Sequence, residues 1–104
     1  MNPLILTIYT TVSNETDAKN LIRILLENRL IACGVSWETG SQYNWQGKTV
    51  DDQEYVVFMK SSVRLENFLI QEIEKIHPYD TPAILINETK VNRGYFEWVE
   101  GEVK

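Results

Sequence analysis

The sequence predicts one α+β domain in which two helices pack on one face of an antiparallel sheet, in the chain order β-α-β-β-α-β with a short C-terminal helix added. Three observations predict it. Ala18 to Leu26 and Leu65 to Ile76 carry apolar residues at helical spacing. Four other segments are alternating, β-branched or aromatic. The connections are short, with no repeat, linker or low-complexity tract, and the 104 residues fit a single domain over 1–104.

Leu4 to Thr11 is β-branched and aromatic and apolar on both faces, the pattern of a central strand. Ser13-Asn14-Glu15-Thr16-Asp17 starts a helix: Ser13 or Asn14 can cap free N–H groups, and Glu15 and Asp17 suit the positive end of the dipole. Ala18, Leu21, Ile22, Leu25 and Leu26 form its apolar stripe, which runs to about Arg29. Ile31 to Trp37 alternates. Ile31, Cys33, Val35 and Trp37 point one way; the small Ala32, Gly34 and Ser36 point the other and let a neighbour pack closely. Thr39-Gly40 breaks the pattern and Ser41 to Trp45 resumes it. Gln46-Gly47-Lys48 is a turn or bulge signal, and Gln53 to Lys60 is a further strand, so these segments make a long hairpin. Ser61 or Ser62 caps the second helix, whose stripe is Leu65, Phe68, Leu69, Ile73 and Ile76. It ends at His77-Pro78, because the residue before proline resists the α region. Pro82 opens a last strand over Ala83 to Asn87, and Asn92 caps the C-terminal helix bearing Tyr95, Phe96 and Trp98.

Two helices on one face of a sheet in this order is the ferredoxin-like arrangement. The other sheet face then lies open unless another copy covers it. Trp37, Tyr43, Trp45, Tyr95, Phe96 and Trp98 all fall outside the main helical stripes. They either fill the core from its edges or form an interface. The second is favoured, because so many rings are too much apolar surface to leave wet and aromatics are enriched at interface centres. A homo-oligomer is the expectation.

Apolar residues at 43% and charged residues at 24% are a globular balance, not a disordered one. A net charge of -5 opposes a phosphate backbone and an anionic membrane, so neither nucleic acid nor membrane is expected as a partner. A cationic ligand is compatible with it. One cysteine rules out an intrachain disulfide and favours a reducing compartment. The N-terminal residues show no basic n-region and no apolar run approaches the ~20 residues of a membrane helix, so a cytoplasmic location is expected.

The soft or borderline metal ligands, Met1 and Met59 aside, are Cys33 and His77, and neither sits in a local metal motif. One subunit thus offers two ligands where a tight site needs three or four. An oligomer could gather copies, or add carboxylates from Asp51, Asp52, Glu54 or Asp80. Against this, a strand cysteine is most simply a small apolar residue, and a histidine ending a helix is favoured by the dipole. Catalysis finds little support: Cys33 lacks a helix N-terminus to activate it, and no Ser-His-Asp or G-x-S-x-G pattern occurs. Phosphate loops are absent. An RNA-binding reading of the same element order fails, since Gln53 to Lys60 has aromatics but no glycines and begins acidic.

Several segments together resemble one family. Leu30-Ile31-Ala32-Cys33-Gly34-Val35 resembles the "LAAC-V-N" stretch of the CutA divalent-cation tolerance proteins. Ser41-Gln42-Tyr43-Asn44-Trp45-Gln46-Gly47-Lys48 resembles their "S-x-Y-x-W-x-G-K" hairpin, and Glu54 through Lys60-Ser61 their "E…KT" strand. His77-Pro78-Tyr79-Asp80-Thr81-Pro82 is similar to "HPYxxP", and Tyr95-Phe96-Glu97-Trp98 to the closing "Y-x-x-W" helix. The resemblance implies a ferredoxin-like homotrimer, similar to the PII signalling proteins, whose hairpins and C-terminal segments pair across the interface. It implies a role in tolerance of copper or another divalent cation. Cys33 matches the family cysteine and His77 the family histidine, while Tyr43, Trp45, Lys60, Tyr79 and Trp98 match positions that shape the fold and the clefts between subunits; a PII-like sensor of a small metabolite or anion near Lys60, His77 and Tyr79, or a purely structural module, are the alternatives. Three positions depart from the pattern: Ser36 stands where the asparagine is expected, Ala83 where an acidic residue follows the last proline, and Ser61 where a threonine is usual. The loss of the carboxylate at Ala83 weakens any site beside His77.

Overall fold

The computed structural model describes residues 1–104. The elements are β1 (Leu4–Val12), α1 (Glu15–Glu27), β2 (Cys33–Trp45), β3 (Lys48–Ser61), α2 (Glu66–Ile76), β4 (Leu85–Lys90) and α3 (Arg93–Glu102), with a 3-10 turn at Val63–Leu65. The sheet is antiparallel throughout in the order β2-β3-β1-β4. This is the ferredoxin-like α+β arrangement expected.

Strand register decides which residues share a face, because directly opposite residues point the same way. Leu6, Ile8 and Val12 of β1 and Val57 and Met59 of β3 face the helices, where they join Ala18, Leu21 and Leu25 of α1 and Leu69 and Ile73 of α2 in the main core. Gly34 lies on this face too. A Cβ there would stand 2.9 Å from Ile22 Cγ1, so the small side of β2 is what lets α1 sit close. A second, smaller cluster on the opposite face joins Ile5 and Ala32 to Val99 and Val103, with Leu65, Tyr95 and Phe96 against it. The tail is fastened by the ion pair of Arg64 with Glu100 at 3.2 Å and by Lys104 N–H donating to the Arg29 carbonyl at 2.9 Å.

Several local expectations are refined. Asn14, not Ser13, caps α1, accepting from the Asp17 N–H at 2.8 Å. The alternation of β2 starts at Cys33: Ile31 lies in the helix-side core and Ala32 in the opposite cluster, because the chain enters the sheet only after the turn at Arg29, where φ is 56°. Thr39-Gly40 does not break β2. Both residues stay paired, Gly40 opposite Gln53, and β3 begins at Lys48, five residues earlier than its composition suggests. Pairing to a partner strand outweighs the weak local propensity of glycine and aspartate. Gln46 and Gly47, at φ 50° and 79°, form the two-residue turn whose twist matches a right-twisted hairpin.

Neither serine caps α2. Ser61 ends β3 and donates to the Leu30 carbonyl at 2.6 Å, and Ser62 precedes the 3-10 turn without a side-chain cap bond. Phe68 and Leu65 leave the predicted stripe: Phe68 is exposed, with Lys104 Nζ 5.2 Å from its ring centre, and Leu65 packs on the second cluster. β4 runs over Leu85–Lys90 rather than 83–87, and Asn92 precedes α3 without a side-chain cap bond.

Candidate functional site

The sheet face away from α1 and α2 is only partly covered. α3 closes the end around Ile5. Beyond it, Val35, Trp37 and Leu85 stay exposed, with Trp37 at 47%. Val35 pairs with Phe58 and Phe58 with Tyr9, so these apolar side chains lie in one row across the strands. Tyr43 and Trp45 continue the same face along the hairpin arm, where Trp45 is 59% exposed. Of the aromatics named from sequence, Tyr95 and Phe96 therefore pack against the subunit's own second cluster, whereas Trp37, Trp45 and Trp98 do not fill a core.

Cys33 and Lys60 are register partners on this open face. The thiol lies 3.3 Å from the Tyr95 hydroxyl. Tyr95 in turn stacks on Trp98, with ring centres 5.6 Å apart. Burial first, and then the bond to Cys33, push the Tyr95 hydroxyl pKa up to about 12. Lys60 Nζ stands 5.6 Å from the Phe58 ring centre, a cation–π contact.

His77 is held elsewhere. It caps the C-terminal end of α2 in an extended conformation, is buried, and bonds to the end of β1. Nδ1 accepts the Tyr79 N–H at 3.0 Å, which leaves the ring proton on Nε2. Nε2 lies 3.0 Å from both the Thr11 carbonyl and Thr10 Oγ1. Thr10 belongs to the helix-facing side of β1 and Cys33 to the other side, so the structure does not bring the two sequence-predicted ligands together. Both His77 nitrogens are engaged, so coordination there requires these bonds to open. No group of three or more His, Cys, Asp or Glu side chains is placed to hold an ion within one subunit.

Burial lowers the His77 pKa below its usual 6.5; the bond to Thr11 and the Asp17 charge offset this only in part. Below pH 6.5 the unfolded chain takes up a proton that the folded chain resists. Stability should therefore be constant above about pH 7.5 and fall as pH drops through 6.5 toward the folded value. Thermal melts from pH 8 to pH 5 should show this slope reduced in His77→Gln; equal slopes would contradict the assignment.

The third cluster is a cleft of 520 Å³ between the hairpin arm and the segment after α2. Thr11, Ser41, Glu54 and the aromatic residues Tyr43, Trp45 and Tyr79 line it. Asp80, Thr81 and Ala83 complete the lining. The Tyr79 hydroxyl donates to Glu54 Oε2 at 2.8 Å and that of Tyr43 to Asp52 at 3.1 Å. Burial, then the Glu54 bond, raise the Tyr79 pKa well above the ordinary tyrosine value; the Asp52 bond raises that of Tyr43. Both phenols thus remain protonated donors. His77 fixes this cleft from behind by holding the Tyr79 backbone.

Sequence reasoning named Tyr43, Trp45 and Tyr79 but not their partners. Thr10 and Thr11 carry no local signal, since their role comes from which strand end the loop after α2 reaches. Glu54 and Asp52 were named only as carboxylates that an oligomer could add to a metal site, and Glu54 as the start of a strand motif. The Cys33–Tyr95 contact depends on α3 folding back across the sheet.

Comparison with known proteins agrees with this geometry. Residues 6–102 match the family model of the CutA1 divalent ion tolerance protein. The divalent-cation tolerance protein CutA of Thermotoga maritima is 39% identical over 97 residues, which is 92% of this chain and 96% of that protein. The crystal structure of CutA1 from Pyrococcus horikoshii superposes with a TM-score of 0.93 at 34% identity, covering 95% of this chain and 98% of the other. A protein from Archaeoglobus fulgidus, 24% identical with a TM-score of 0.91 over 96% of this chain and 99% of its own, shares the fold and is described as a periplasmic divalent cation tolerance protein CutA. No helix of this chain is long and apolar enough to cross a membrane. By the match along nearly its whole length, the chain belongs to the CutA1 divalent ion tolerance protein family.

Proposed function

We propose that this protein is a cytoplasmic homotrimer that contributes to tolerance of divalent cations, copper foremost, by binding or sensing the ion rather than by turnover. The observation that carries the trimer is the uncovered sheet face, on which Val35, Trp37 and Leu85 lie exposed in one subunit. Apolar surface of this extent is normally covered by a partner. Cys33 sits on that same face, so neighbouring copies would bring thiols and carboxylates toward one another and supply the ligands one subunit lacks. The thiol is the soft donor that suits copper. His77 joins such a site only if its bonds to Thr11 and Tyr79 open, so Cys33 is the primary ligand in this reading. The single cysteine supports a reducing compartment.

Sensing of an anionic metabolite fits less well. Lys60 lies beside Cys33 and Phe58, whereas the cleft at Tyr79 is lined by Glu54 and Asp80 and by no basic side chain. Calorimetric titration with Cu²⁺ and Zn²⁺ tests the proposal. Saturable binding to the wild type, lost in Cys33→Ser and weakened less in His77→Ala, is expected. A protein that light scattering shows to be monomeric, or binding indifferent to Cys33→Ser, would overturn it.

A further inference from the structure

Glu54 is only 9% exposed, yet it has no cationic partner. Buried carboxylates are ordinarily paired. Its one side-chain hydrogen bond comes from the Tyr79 hydroxyl, and no Lys, Arg or His of the subunit pairs with it. Asp52 and Asp80, close by, also lack a basic partner. The four ion pairs of the chain all lie on or between helices and the 3-10 turn, away from this cleft.

The cleft these carboxylates border is not built like a metal site. No three ligating side chains converge there, and much of its wall is aromatic. Metal ions of the hard class need several oxygen ligands at once. Aromatic rings and one or two carboxylates instead suit an organic cation, whose charge is attracted to the rings while its alkyl part replaces water against them. Hydroxyls of the lining residues Thr11 and Ser41 can accept N–H bonds, which distinguishes a primary ammonium from a quaternary one.

We infer that the cleft bounded by Tyr43, Trp45, Glu54, Tyr79 and Asp80 is a binding site for a small primary alkylammonium ligand, with the Glu54 carboxylate as counter-charge and the three rings as walls. This site is separate from the ion site proposed at Cys33 and stands without it. The Tyr79–Glu54 bond pre-orients the carboxylate, and His77 holds the Tyr79 backbone, so the ligand meets a formed wall rather than a loose loop.

The probes are butylammonium and 1,4-diaminobutane, titrated calorimetrically into the full-length protein as it assembles in solution, at constant ionic strength. 1-Butanol, of the same shape without the charge, is the control. Saturable binding with a Kd below about 10 mM is expected for the amines and none for the alcohol. Glu54→Gln should weaken it at least about tenfold and Trp45→Leu about threefold. Because Glu54 is buried, Glu54→Gln is checked for folding by circular dichroism; Trp45, exposed on the arm, gives a variant that keeps the fold. Equal binding of alcohol and amine, an unchanged affinity in Trp45→Leu, or no amine binding because a neighbouring copy fills the cleft, would each overturn the inference.

Discussion

In the homotrimer proposed above, Trp37→Glu is expected to break the assembly into monomers. Light scattering should fall from about 36 kDa, three copies of the 12.1 kDa chain, to about 12 kDa. Trp37 stands in the middle of β2 on the open sheet face, opposite Val56, with Val35 and Phe58 beside it. Within one subunit the indole is half exposed, so a carboxylate there remains hydrated and the subunit's own core is untouched. In an assembly the same carboxylate would be taken out of water among apolar side chains with no basic partner, a cost of several kcal/mol for each copy, roughly that of an unpaired buried charge. Tryptophan at an interface centre commonly contributes ~2 kcal/mol or more by itself. The melting temperature should drop with the mass and become independent of protein concentration, since assembly stabilises by mass action. A variant that remains trimeric would show that copies associate elsewhere.

Ile8→Ala should cost about 2–5 kcal/mol of stability. Ile8 lies in the central strand, paired to Met59 on one side and Ile86 on the other, with no exposed surface. It belongs to the cluster that joins both helices to the sheet, so the void left by the lost atoms cannot be closed by moving one element alone. A domain of this size has about 5–15 kcal/mol in total. The loss should appear as a lower denaturant midpoint with an unchanged slope. Leu26→Ala, on the exposed side of α1, is the comparison, with an expected effect within roughly 0.5 kcal/mol. An Ile8→Ala cost below that of Leu26→Ala would mean the core is not centred on β1.

Much of this architecture was legible without coordinates. Of the stripe Ala18, Leu21, Ile22, Leu25 and Leu26 in α1, Ala18, Leu21 and Leu25 became the buried face, Ile22 packs against it and Leu26 is exposed, while the smallness of Gly34 became its close contact with Ile22. What failed was local and has a common cause. Gly40 looked like a break, the strand after the turn seemed to start only at Gln53, and Ser61 looked like a cap. In each case a partner strand or a distant carbonyl supplied the hydrogen bond that local propensity did not. Phe68 obeyed helical spacing but sat one position off the face that the core occupies.

For the site, the residue types were visible and the groupings were not. Cys33 and His77 were read as a possible pair, but the period of two along a strand sends Cys33 to one face while the loop after α2 docks His77 against the other. Such sorting follows from pleat and register, which are set when β1 pairs with β3. Sequence by itself determined the α+β class, the order of elements, the family and an aromatic excess beyond what two helical stripes can bury. Only the tertiary structure decided that α3 covers one end of the open face and leaves Trp37 bare, that both His77 nitrogens are taken, and that Glu54 lies buried beside three rings without a counter-charge. The physical reason is that side-chain type is a local property, whereas hydrogen-bond partners and desolvation are set by residues tens of positions away.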